Sequence, residues 1–229
     1  MRKLLLFDID GTLILTGGKA AGYMAESVSR VLQRPIQWNI RDFVGNTDRN
    51  IIQTLLRRNG GIEPLVDEMT EQALQIYLNL LAEHLKPNSH VQILPGVLPL
   101  LKKLSKDNRF ALGLLTGNMR EGARIKLAKK NLFDFFPIGA FGDDALKRED
   151  LPSFALRRAE KYYRCFFERK GVWIIGDSTN DIQCAQLNHM SSLAVASGHM
   201  EQSELAACHP TALLPDLSDT KKVIRILAQ

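Results

Sequence analysis

Two aspartates stand two residues apart where an apolar run, Lys3 to Phe7, gives way to Asp8-Ile9-Asp10-Gly11. In an extended chain, side chains at i and i+2 point to the same side, so both carboxylates can face one substrate atom. Two ionised carboxylates that close repel each other, and something must compensate. A divalent cation does so, and hard oxygen ligands suit Mg²⁺. One carboxylate can then attack phosphorus while the other protonates the leaving oxygen. Gly11 lets the backbone approach the ligand closely. Taken alone, Asp-x-Asp is read equally well as a capped turn, with Asp10 satisfying backbone amides.

Two other polar clusters also follow apolar runs. Thr116-Gly117-Asn118 comes after Phe110 to Leu115 and opens a helical stretch. A hydroxyl, an amide and free backbone N–H groups at a helix N-terminus make an anion site, although Thr or Asn there also reads as an ordinary cap. Gly176-Asp177-Ser178-Thr179-Asn180-Asp181 follows Val172 to Ile175. Asp177 can complete a metal shell, and Asp181, one helical turn on, can orient a ligated water or a cation. Helix capping is the alternative here too.

The elements that must position these groups alternate along the chain. Strands are expected at Lys3 to Phe7, Phe110 to Leu115, Ile138 to Phe141, Val172 to Ile175 and Ser192 to Ala196. Helices are expected at Val97 to Leu104, Glu121 to Lys130, Pro152 to Phe167, Asp181 to Asn188 and Lys221 to Leu227. Apolar strands alternating with amphipathic helices predict a parallel α/β sheet covered on both faces, with ligands at the carboxyl ends of the strands. Lys19 to about His84 interrupts this alternation and reads as helical almost throughout, broken at Gly45-Asn46-Thr47-Asp48, where Thr47 or Asp48 can cap a helix. Joints at Thr16-Gly17-Gly18 and Lys86-Pro87-Asn88-Ser89 bound it. The expected organisation is a core of residues 1–15 and 88–229 with a helical cap of residues 16–87, and no repeat is visible.

Phe7-Asp8-Ile9-Asp10-Gly11-Thr12-Leu13, then Thr116, then Gly176-Asp177 with Asp181, together with the cap position, resembles the haloacid dehalogenase superfamily, phosphoglycolate phosphatase-like members included. The resemblance implies a Rossmann-like core, an inserted α-helical cap and a phosphoaspartate intermediate. It implies Asp8 as nucleophile, Asp10 as general acid/base and Thr116 holding the transferring phosphoryl group, with Gly117 and Asn118 beside it. Mg²⁺ would be bound by Asp8, Asp177 and the Asp10 carbonyl, with Asp181 supporting them. Such phosphatases also carry a Lys or Arg that balances charge between nucleophile and phosphate, often in a Lys-Pro-x-Pro segment. Lys147-Arg148-Glu149-Asp150-Leu151-Pro152 occupies that place, and counting back from Pro152 puts Glu149 where the lysine belongs. Arg148 is assigned the role, with Lys147 as alternative, because a guanidinium can clamp phosphate and carboxylate together. In the cap, Gly45-Asn46-Thr47-Asp48 is similar to a Gly-Lys-Thr-Asp segment of the phosphoglycolate phosphatase-like members. Asn46 replaces the lysine; Asn46 and Thr47 are assigned to the substrate side, with a helix start as the alternative.

The expected function is an Mg²⁺-dependent phosphomonoester hydrolase acting on a small phosphorylated metabolite. A sugar phosphomutase on the same core is the alternative. A non-catalytic phosphate-binding module is disfavoured because the acids at 8, 10 and 177 are all present. A dehalogenase needs only the nucleophile, and a phosphonate-cleaving enzyme needs a Schiff-base lysine, for which Lys19 is a poor candidate.

Composition excludes other classes. With 229 residues, 45% hydrophobic and 24% charged, the chain is neither disordered nor a disulfide scaffold. A net charge of +5 in scattered pairs makes no nucleic-acid stripe. The apolar runs are too short to span a membrane. Three widely spaced cysteines point to a reducing compartment, hence the cytoplasm. No obligate protein partner is evident. His84, His90, His189, His199 and His209 show no ligand spacing and read as surface or loop residues. Trp38 and Trp173 are expected in the core, and Gly17-Gly18-Lys19 as a cap hinge.

Overall fold

The computed structural model describes residues 2–85, 91–128 and 130–229. The joint expected at 86–89, the 87/88 boundary, His90 and Lys129 therefore lie at least partly outside the described residues. The chain runs β1 (Lys3–Phe7), β2 (Ile14–Leu15), α1 (Lys19–Leu32), α2 (Asp48–Arg58), α3 (Val66–His84), β3 (Gln92–Ile93), α4 (Val97–Leu104), β4 (Phe110–Leu115) and α5 (Arg120–Ala128). It continues with β5 (Ile138–Ala140), α6 (Leu151–Tyr163), β6 (Val172–Gly176), α7 (Thr179–Leu187), β7 (Ser191–Val195), α8 (Gln202–Ala207), β8 (Ala212–Leu214) and α9 (Thr220–Leu227).

Six strands form one parallel sheet in the order β5-β4-β1-β6-β7-β8. Its strands are apolar because both faces are covered. Leu5 and Phe7 of β1 join a cluster that includes α4, α5, α9 and the helices of the insert. Leu4 and Leu6 join the opposite cluster, with Leu151, Ala155 and Ala159 of α6 and Cys184 and Ala185 of α7. The two-residue side-chain period of a strand produces this division. Register then decides the site. Phe7 is level with Leu114 of β4 and Ile175 of β6, so the carboxyl ends of three adjacent strands present Asp8, Thr116 and Asp177 side by side.

Helices α1, α2 and α3 pack on one another as a cap inserted between β2 and β3. These two short strands pair antiparallel, Ile14 with Ile93 and Leu15 with Gln92, and form the stem of the insert. The cap is less helical than its sequence predicts. Gln33 ends α1 in the left-handed conformation (φ 54°), Pro35 follows, and residues 33–47 hold only a 3-10 turn, Ile40–Phe43. Trp38 sits in this irregular stretch, 44% exposed and edge-on to Phe43 at 5.5 Å, so its placement in the core is corrected. Trp173 is buried as expected. Helix α6 stops at Tyr163, short of Phe167, because Arg164 turns left-handed (φ 52°). Lys130, the expected end of α5, lies in a turn. The pair β2–β3, α8 and β8 are elements that the sequence reading lacks, and other bounds differ by a residue or two.

Candidate active site

Asp8 begins where β1 ends, its N–H donating to the Ile175 carbonyl at 2.9 Å. Its carboxylate is buried beside those of Asp177 and Asp181, and one oxygen of each lies within 4.8 Å of the others. Asp181 is held by local structure. Ser178 caps α7 by accepting the Asp181 N–H, and its own N–H and hydroxyl donate to Asp181 Oδ2 at 3.1 and 2.6 Å. Asp177 Oδ1 accepts the Thr12 hydroxyl at 3.1 Å. Gly11 takes φ 81°, and a Cβ there would overlap the Asp177 carboxylate, so only glycine lets this turn close over it.

One permanent cation enters the cluster. Arg148 Nη2 lies 3.2 Å from Asp8 Oδ1 and 2.5 Å from Asp181 Oδ1, fully inside the protein. Lys147, the alternative, is 68% exposed and faces Glu149. Burial raises the Asp8 carboxyl to about 6; Arg148 opposes this, while Asp181 and Asp10 add to it. Burial also raises Asp177 well above the ordinary carboxylate range, reinforced by Asp8 and Asp181. Burial opposes the charge of Arg148, but Asp181 and Asp8 outweigh it and raise its pKa. The guanidinium thus faces two of the three buried carboxylates, Asp8 and Asp181, and the remaining negative charge on a hard-oxygen set fits a divalent cation such as Mg²⁺.

The Asp10 side chain is 39% exposed, and its Oδ2 accepts from Lys126 Nζ at 2.6 Å and from Asn118 Nδ2 at 2.9 Å. The Asn118 amide is engaged at both ends: Nδ2 also donates to Thr116 Oγ1 at 2.8 Å, and Oδ1 accepts from Lys126 at 2.5 Å. Asn118 therefore braces Asp10 and Thr116 while lining the cavity. Thr116 is fully buried and lines the same cavity as Asp8, Asp10, Arg148 and Asp177.

The cap touches this core through residues 44–48. Asp48 N–H donates to the Gly117 carbonyl at 2.8 Å, and Met119 N–H donates back to Asp48 Oδ2 at 2.8 Å. A Cβ on Gly117 would overlap the Asn46 carbonyl, so the glycine admits the cap segment. Asn46 lines the cavity. Thr47 is not among the lining residues: its hydroxyl donates to the Leu146 carbonyl at 2.7 Å and accepts the Asn50 N–H, capping α2. The cap alternative holds for Thr47. His199, read as a loop residue, is exposed in a loop that lines the cavity mouth.

Residues 5–195 match the family described as haloacid dehalogenase-like hydrolase. The chain belongs to that family. It is 26% identical to a phosphoglycolate phosphatase of Vibrio vulnificus (strain CMCP6), over 99% of this chain and 97% of that protein. Among solved structures, a hydrolase from Pseudomonas syringae superposes with a TM-score of 0.74 at 21% identity, each chain fully covered. CbbY from Rhodobacter sphaeroides, solved in complex with phosphate, superposes at 0.72 and 17% identity, with 96% of each chain covered.

One residue of this haloacid dehalogenase-like site, Lys126, is absent from the sequence reading, and Asp48 figures there only as a helix cap within Gly45-Asn46-Thr47-Asp48. Lys126 lies in a charged stretch that looks solvated. Its spacing carries the missing signal, because Gly122 and Ala123, four and three residues earlier, are also buried and put Lys126 on the inner face of α5. Burial works against the Lys126 charge, yet Asp10, Tyr77 and Asp48 outweigh it and raise its pKa.

Proposed function

We propose that this hydrolase is an Mg²⁺-dependent phosphomonoester phosphatase that forms an aspartyl-phosphate on Asp8. The observation that carries the reading is the convergence of Asp8, Asp10, Thr116, Arg148 and Asp177 on one cavity beneath the cap. The family membership and the phosphoglycolate phosphatase relatives support the phosphatase class.

Asp8 attacks phosphorus, and the bond to the leaving oxygen breaks as Asp10 delivers its proton to that oxygen. Asp10 then takes a proton from the water that cleaves the acyl phosphate. Thr116, the backbone of Gly117 and Arg148 hold the equatorial oxygens, since phosphoryl transfer depends mainly on positioning and electrostatics. Lys126 and Asn118 aim the Asp10 carboxyl, and Asp181 fixes Arg148 against Asp8. Asp8, Asp177 and the Asp10 carbonyl would hold Mg²⁺, which when bound supplies positive charge to the phosphoryl group. Asn46 faces the substrate from the cap.

Core residues 1–15 and 88–229 are assigned this chemistry and residues 16–87 the cap; the pairing of β2 with β3 supports an insert between Leu15 and Gln92. The substrate is a small phosphorylated metabolite, and three free cysteines favour the cytoplasm. Among the described residues, no helix is long and apolar enough to cross a membrane.

The decisive experiment is phosphate release from an aryl phosphate, with and without Mg²⁺, by the wild type and Asp8→Asn. Release that needs both Mg²⁺ and Asp8 is expected. Release that survives Asp8→Asn would remove the nucleophile, and a parallel incubation with a hexose phosphate that gives isomerised sugar phosphate without free phosphate would indicate a mutase.

A further inference from the structure

The wall on the stem and cap side of the cavity differs in chemistry from its floor. Leu15, Met24, Ile40, Phe43 and Ile51 line it, with Thr16, Asn46, Asp48 and Tyr77 as its polar side chains, and Tyr77 sits beside Lys126. Met24, Ile51 and Tyr77 are buried, while Ile40 and Phe43 are half-buried. The two permanent cations among the described lining residues are Arg148 and Lys126, and both already sit on carboxylates at the floor, Asp8 with Asp181 and Asp10. His199, the other basic side chain of the lining, is exposed at the rim. Asp8, Asp10, Asp48 and Asp177 all border the same space.

A substrate carboxylate beyond the phosphate would have to leave water for this wall without a partner charge. An ionised group buried unpaired costs several kcal/mol or more, and neighbouring acids add repulsion. A row of hydroxyls fares little better, because the uncharged polar side chains on the stem and cap side are Thr16, Asn46 and Tyr77, too few to replace all its hydrogen bonds to water. Alkyl or aryl carbon meets a matching surface. The space is small: about 210 Å³, against ~300–1,000 Å³ for sites that take drug-sized ligands.

We infer that this enzyme selects phosphomonoesters whose leaving group is uncharged and largely apolar, a few carbons in size, and disfavours substrates with a carboxylate or polyol there. This rests on the phosphatase reading above and deepens it.

The test is kcat/KM by free-phosphate release, in magnesium buffer, for n-butyl phosphate, phenyl phosphate, glycerol 1-phosphate and 2-phosphoglycolate. The butyl and phenyl esters are expected to exceed the other two by about tenfold or more, the scale on which an apolar pocket discriminates. Equal or better turnover of 2-phosphoglycolate or glycerol 1-phosphate would overturn the inference and leave the phosphatase intact. No release from any ester would instead overturn the phosphatase reading, and the inference with it. Ile40→Lys places a cation on the wall at a half-exposed position. It is expected to move the ratio of 2-phosphoglycolate to butyl phosphate by about tenfold toward the acid. An unchanged ratio in the folded variant counts against the inference, and the wild-type series decides the matter even if that variant does not fold.

Discussion

Lys126 Nζ lies 2.6 Å from Asp10 Oδ2, although 116 residues separate the two in the chain. The ammonium comes from α5, the carboxylate from the turn after β1, and Asn118 bonds to both. The side chain proposed as the proton donor is therefore aimed from beneath by a buried cation. The same lysine faces the cap, because Tyr77 of α3 and Asp48 of α2 are among the groups that hold its charge.

Replacing Lys126 by Met should separate positioning from binding. Asp10 would keep its chemistry but lose its anchor. A misdirected general acid forfeits much of the ~10²–10⁴-fold that acid catalysis contributes. The fall is expected in kcat, with KM much less affected, in a steady-state assay. Stability should drop by about 3 kcal/mol or less: removing one partner of a buried pair costs ~3–5 kcal/mol, discounted because Asp10 is 39% exposed. Lys126→Met with an unchanged kcat would show that Asp10 needs no anchor.

Arg148→Lys should not rescue function. The Arg148 Nη2 group bonds Asp181 and faces Asp8, while donating to the Leu115 carbonyl at 3.4 Å. A lysine carries a point charge on a shorter reach and cannot reproduce a planar fork. Turnover is expected to fall by about tenfold or more, the loss expected for one missing charge-assisted bond. Arg148→Ala should unfold at lower denaturant, by ~3–5 kcal/mol, because two carboxylates stay buried without their cation. Urea melts and kcat for both variants check this, and a fully active lysine variant would argue against the guanidinium geometry.

Chain-local chemistry explains what could be read in advance. Phe110–Leu115 was delimited to the residue because six apolar side chains end at a polar Thr-Gly-Asn. The floor acids were legible because each follows such a run. Lys126 is hidden because its meaning lies in a partner 116 residues away, in the turn after β1, and the two-residue strands β2 and β3 are too short to show a period. Trp38 failed for the opposite reason. Size and apolarity suggested burial, but nothing in the irregular stretch after Pro35 turns it inward. Asn118 lines the cavity and Thr47 does not, and the polar atoms of both are engaged by protein groups.

Without magnesium, stability should fall as pH rises from about 4 to 7, the reverse of the usual behaviour of a carboxylate. Burial sets the Asp8 carboxyl at about 6, against an ordinary 3.8, and lifts Asp177 in the same direction. Folding therefore takes up protons. The cost is absent below about 4, appears as pH rises, and is complete above the folded value. For Asp8 alone it reaches about 3 kcal/mol. Magnesium held at this cluster, as proposed, would replace those protons and bind the native state, and it should then raise Tm more at pH 7.5 than at pH 5. Urea melts in EDTA and in Mg²⁺ across this range test it; parallel curves would argue against a metal at this cluster.

Asp48→Asn should become progressively more stable than the wild type as pH rises. Asp48 opens α2, where a negative charge is favoured by the helix dipole, and its Oδ2 accepts the Met119 N–H. Burial outweighs both that bond and the nearby Lys126, lifting the carboxyl to about 7. A folded value above the unfolded 3.8 means that protonation favours the fold. The ionised group's penalty is small at pH 4, grows through neutrality and is complete near pH 8. Asparagine keeps an oxygen for Met119 and carries no charge. The stability difference, variant minus wild type, should rise by about 2–3 kcal/mol between pH 5 and pH 8. Urea denaturation at the two pH values measures it. A difference independent of pH would mean that Lys126 keeps Asp48 ionised throughout, so that the cap is latched to the core by an ion pair and not by a buried acid.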